Sequence, residues 1–194
     1  MQECTNCISV IPNTSTDSCK AIDIYRAKRE KGTEYIEINR MQLSLLRQLM
    51  RIYKNPKLNM KYQPDVLFSG EHGADMGGPT KEYFHSAIAS LSKVDPAFNI
   101  QLFGGNSGHM VPLYGVDAIS SGCFEMAGKL LAHSILHEGP GLVGLAPAIV
   151  KYLTTGSLSD ARKHVTIEDL YDLELKQILE EEVKRIIAGS FNMY

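Results

Sequence analysis

His133 and His137 lie four positions apart in an apolar run, so on a helix their imidazoles share one face. That spacing can supply half of a metal site. The zincin order His-Glu-x-x-His is absent, because Glu138 follows the second histidine. Histidines near a helix C-terminus also interact favourably with its dipole, and this structural role is the simpler reading. Cys4 and Cys7 stand in a Cys-x-x-Cys spacing, with Cys19 available as a third thiol. A closed structural zinc site needs four ligands, and the first histidine is as distant as His72. A polar tail is therefore favoured over the remnant of an upstream zinc domain. Cys123 sits in "SSGCFEM" with no histidine within a few residues to make it a thiolate. A buried cysteine usually behaves as a small hydrophobe.

The stretch "FSGEHGADMGGPTKEYF", Phe68 to Phe84, raises a different chemistry. A glycine-rich turn ahead of a helix can cradle a phosphate. A P-loop places Lys directly after Gly-x-x-x-x-Gly. Here Pro79 and Thr80 intervene between Gly78 and Lys81, and Pro79 removes an N–H that a phosphate would use. The Gly-x-Gly-x-x-Gly order is missing too. The glycines are read instead as a turn: Gly77 and Gly78 supply unusual backbone angles, and Asp75 folds back on turn amides. Glu82 lies in the first helical turn, where the dipole favours negative charge.

The elements around these residues follow from periodicity. Residues 1–20 are polar and read as a poorly ordered tail, and the charged residues 21–35 as an approach segment. A helix is expected over Asn39–Tyr53, capped by Asn39, with Ile38, Met41, Leu45, Leu49 and Ile52 on its buried face and Leu46, Met50 and Tyr53 widening it. "DVLFSG" reads as a strand. Pro79 opens a helix whose core stripe is Tyr83, Phe84, Ala87, Ile88 and Leu91. Short strands are expected at 100–103 and 110–113. The longest helical pattern in the middle of the chain is 118–138, with Gly122, Ala127, Gly128 and Ala132 small enough for close approach by another helix; Gly139–Gly141 ends it. "LAPAIVKYLTTG" gives a short helix stopped by Gly156, and 157–165 a turn-rich connection. A final helix opens at Thr166, and its Glu180–Glu182 run reads as a solvated face with intrahelical ion pairs. The class is α+β, mostly helical, with a few short strands rather than alternating βαβ.

With 194 residues, 44% of them hydrophobic, the chain can bury one ordinary core. A net charge of −2 gives no electrostatic reason to expect nucleic acid or an anionic membrane. No apolar run is long enough to span a bilayer, and the polar N-terminus lacks a signal-peptide pattern. The cysteine spacing is no disulfide framework, so cytoplasm or nucleus is the expected compartment. Neither cofactor nor metal is expected.

The glycine stretch resembles the HECT family of E3 ubiquitin ligases. In that family's N-terminal lobe an apolar strand leads into Phe-x-Gly-Glu-x-Gly-x-Asp-x-Gly-Gly, then Arg-Glu opening a helix. Phe68, Gly70, Glu71, Gly73, Asp75, Gly77, Gly78 and Glu82 match in order and spacing, with Lys81 in place of the arginine. "LFGGN", "GCFEMAGKLLAHSILHEGPG" and "IEDLYDLELKQIL" are similar to later N-lobe segments. The resemblance covers roughly residues 38–185, dividing the chain into an N-terminal segment, 1–37, and an N-lobe-like region, 38–194. It implies a scaffold that supports ubiquitin transfer from a conjugating enzyme to substrate lysines. The family's thioester cysteine lies in a separate C-lobe, in a His-Thr-Cys-Phe setting with no counterpart here, so no catalytic residue is assigned and Cys123 does not inherit the role. The segment that docks the conjugating enzyme would begin about where this chain ends. The implied partners are the conjugating enzyme and ubiquitin, met through the complete ligase. The other reading is a non-catalytic HECT-like module that binds ubiquitin or a partner protein.

Overall fold

The computed structural model describes residues 15–41, 44–70 and 77–191. Among them are eight α-helices and four short strands, an α+β arrangement with about half of the residues in helices.

The charged segment ahead of residue 38 contains a strand, β1 (Thr33–Ile38). Its alternation explains why charge misleads: Tyr35 and Glu37 face outward while Ile36 and Ile38 are buried. β1 pairs in parallel with β2 (Gln63–Phe68), in a register that sets Ile36 beside Val66 and Ile38 beside Phe68. The folded body therefore takes in residues that the sequence assigned to the approach segment. Parallel strands need a crossover, and α2 (Leu45–Tyr53) provides it. The chain thus holds one βαβ unit. The buried residues of β1 and β2 share a single core with α2, α3 (Gly78–Ser90) and α5 (Cys123–Leu136).

α2 begins later than its apolar periodicity implied. Ser44 is its cap, with Oγ accepting from Arg47 N at 3.0 Å. Asn39 instead accepts from Met41 N at 2.8 Å, and Met41 is 92% exposed. The buried face is Leu46, Leu49 and Tyr53, which follows from the later start. Gln48 is buried with them. Its amide accepts from Asn39 N at 2.8 Å and donates to Asn39 O at 3.0 Å, so it satisfies the backbone just past β1. α3 has Pro79 in its first turn and buries Tyr83, Phe84, Ala87 and Ile88, with Leu91 just beyond.

The middle helical pattern is two helices. α4 (Val116–Ser120) stops at Ser121, and Gly122 takes a left-handed φ of 72° before α5 starts at Cys123. α1 (Ser15–Arg26) lies in the region read as tail and approach. It docks on the C-terminal end of α5. Tyr25 Oη donates to Ala132 O at 3.2 Å and Arg26 Nε to Ile135 O at 3.1 Å. The Arg26 cation at this end also complements the helix dipole. Gly128 gives no close approach: a Cβ built on it would meet nothing within 4 Å.

β3 (Phe103–Gly104) and β4 (Val111–Pro112) form a small antiparallel pair close to the strand positions expected. α6 (Pro147–Thr155) ends at Gly156, φ 65°. The connection that follows holds a one-turn helix, α7 (Leu158–Ala161). Thr166 opens only a 3-10 turn, Ile167–Asp169, with its N–H donating to Asp169 at 2.8 Å. The long α8 (Leu173–Phe191) starts later, where Asp172 accepts from Glu174 N and Leu175 N. No helix among the described residues is long and apolar enough to cross a membrane.

Candidate functional site

The junction of β2 and α3 carries the described part of the glycine pattern. Gly70 and Gly77 adopt left-handed φ angles of 86° and 92°, open to glycine and disfavoured for other residues. Gly78 is the first residue of α3. Glu71, Gly73 and Asp75 lie outside the described residues, as do Cys4 and Cys7. Glu82 is the fifth residue of α3, one past the first turn where the sequence placed it, because the helix already starts at Gly78. Its side chain is 52% exposed and pairs with Arg40 at 2.8 Å. The Arg40 guanidinium also stacks 3.6 Å from the centroid of the buried Phe68 ring. Arg40 thus ties the end of β2 to α3, bringing together two residues of the pattern through one that the sequence did not single out.

Beneath this junction lies a buried polar chain. Tyr83 Oη donates to Tyr53 Oη at 3.2 Å, and Tyr53 Oη lies 3.0 Å from His133 Nδ1. His133 is fully buried. His137 follows one turn later, its Nε2 2.9 Å from Met60 O. The two imidazoles meet edge to face, centroids 5.1 Å apart. Burial pushes both tyrosine hydroxyls above their ordinary range, and Tyr83 reinforces the shift at Tyr53. Burial lowers His133 to about 3, helped by the neighbouring His137. His137 is lowered chiefly by burial, against the opposing Met60 hydrogen bond. Both rings are thereby held neutral. The tyrosines were legible only as core residues; the sequence signal for their polar role is that a buried Tyr hydroxyl requires a partner. His133 and His137 do share a face, but no group of three or more His, Cys, Asp or Glu suited to a metal ion occurs among the described residues.

Cys123 is a free thiol, 2% exposed, at the first position of α5. Its Sγ lies 3.2 Å from Ser121 Oγ. It borders a cavity of about 350 Å³ lined by Leu46, Met50, Phe98 and Ile100, with Arg47 and Asp117 among its polar residues. No histidine is in that lining. A second pairing missed in the sequence joins His109 Nδ1 to Asp169 Oδ1 at 2.7 Å. It ties the approach to β4 to the 3-10 turn before α8.

Taken together, the described residues define an α+β fold with a buried hydrogen-bonded core. No protein-family model matches the chain, and no curated protein matches it.

Proposed function

We propose that this chain is the N-lobe scaffold of a HECT-type E3 ubiquitin ligase, which supports ubiquitin transfer without itself carrying the thioester cysteine. The observation that carries this reading is the pattern from Phe68 to Glu82. The local geometry is compatible with it. Phe68 ends a strand in the core, Gly77 makes a left-handed turn, and Glu82 follows early in the next helix. In this reading the glycines are architectural, and the burial of Cys123 accords with a chain that passes no ubiquitin of its own.

Two measurements test the proposal. Incubated with activating enzyme, conjugating enzyme and ubiquitin, the chain forms no thiol-sensitive adduct on a non-reducing gel. An adduct lost in Cys123→Ala would overturn the scaffold role. Sequencing the transcript past Tyr194 then tests the family: the reading frame continues for roughly a domain's length and contains a cysteine in a His-Thr-Cys-Phe-like setting. A frame without that cysteine favours the second reading, a HECT-like interaction module. The observation on its side is the apolar surface of α8, where Leu175, Leu179, Val183 and Ile187 are 39–54% exposed.

A further inference from the structure

The proton positions in the buried chain follow from what each atom can do. Tyr83 gives its hydroxyl hydrogen to Tyr53. Tyr53 keeps its own hydrogen free to give to His133 Nδ1, an order that puts the His133 proton on Nε2. Met60 O accepts only, so His137 donates to it from Nε2 and keeps a lone pair on Nδ1. Two buried nitrogens are left without a hydrogen-bond partner: His133 Nε2 and His137 Nδ1. One is a donor and the other an acceptor, on perpendicular rings 5.1 Å apart.

We propose that Tyr83, Tyr53 and His133 form one proton-ordered chain, with His137 packed edge to face beside it, and that this chain is an acid-sensitive latch on α5. It joins α3, α2 and α5 through donors running in one direction, while His137 separately holds the turn at Met60. An added proton lands on an Nδ1. On His133 it opposes the Tyr53 hydroxyl; on His137 it makes a donor of a buried nitrogen that has no partner. Either way a buried donor is left without an acceptor. The groups facing the pair are the Tyr53 hydroxyl from α2, the linked Tyr83 hydroxyl from α3, Arg29 after α1, and Glu138 beyond α5. Arg29 opposes a charge on His137 and Glu138 favours one. Glu138 is exposed and already paired with Arg29 at 3.2 Å. The same ion pair, with Arg26 on Ile135 O, holds α1 to the end of α5, so opening the latch also loosens α1.

Nitrogen-15 NMR of the whole chain reads the tautomers directly. At neutral pH both histidines are expected as Nε2–H. In Tyr53→Phe, His133 loses its fixed tautomer while His137 keeps its own. Between about pH 7.5 and pH 5, amide exchange in α5, corrected for intrinsic rates, accelerates about tenfold or more. An Nδ1–H tautomer at either histidine in the wild-type chain overturns the proton order. Exchange that does not accelerate in acid overturns the latch.

Discussion

At Gly77 and Gly78 the same change of residue meets two different backbones. Gly77 has φ 92°, and a Cβ there meets nothing within 4 Å. The penalty of Gly77→Ala is therefore conformational alone, about 1–2 kcal/mol. Gly78 is helical and equally open, so Gly78→Ala leaves stability unchanged or raises it slightly. Urea denaturation of the two variants checks the contrast; equal losses would show that the turn is not what requires glycine. The Arg40 junction makes a parallel case. Glu82→Ala removes an exposed ion pair and costs less than about 1 kcal/mol. Arg40→Ala also removes the stacked contact on Phe68 and costs more. His133 sets a pH dependence of its own. Its folded-state value lies near 3, below the ordinary 6.5. Above 6.5 it is neutral in both states and stability is full. As pH falls toward 3 the unfolded chain takes up a proton that the native chain refuses, and stability drops by up to about 1.4 kcal/mol per pH unit. Urea midpoints measured across that window should fall with pH, and less steeply in His133→Phe.

Among the elements, α2 depends most on one side chain at its start. Ser44 caps the helix and also donates to the buried Asp95 at 2.8 Å. Ser44→Ala loses the cap and strips a partner from that carboxylate, costing about 1–3 kcal/mol. Asn39→Ala costs less, because Asn39 holds only an exposed turn. Thermal melts of both variants distinguish the two proposed caps. The sequence favoured Asn39 because the apolar periodicity extends back to Ile38, yet Ile38 belongs to a strand. Period-two alternation in β1 is hidden by its glutamates, and its partner lies beyond α2, where no local pattern announces it. α3 was legible throughout, since Pro79 and its apolar stripe both refer to the helix itself. The α4–α5 break was not: Gly122 reads equally as a small helical contact or a stop. At the candidate site, the shared face of His133 and His137 was visible in their spacing, whereas their link to Tyr53 and Tyr83 depends on tertiary packing.

For the molecule as a whole, burial is uneven along the chain. The core draws on β1, β2, α2, α3 and α5, whereas α8 leaves an apolar stripe at every fourth residue from Leu175 to Ile187 in contact with solvent. Such a surface attracts apolar dyes and other chains. Val183→Lys with Ile187→Lys should lower dye binding and raise solubility, at a stability cost below about 0.5 kcal/mol for each position. A cooperative loss of the folded state in that variant would mean that the stripe packs against the body in solution.

The parallel pairing of β1 with β2 has a consequence during synthesis. A hairpin can close as soon as its second strand leaves the ribosome, but here the second strand arrives only after the whole of α2. Until then Ile36 and Ile38 travel as an unmatched strand, and that interval is when a chaperone has most to cover. Ribosome-bound nascent chains released before Phe68 should therefore engage holding chaperones more strongly than chains carried past Ser90, where α3 can cover the completed pair.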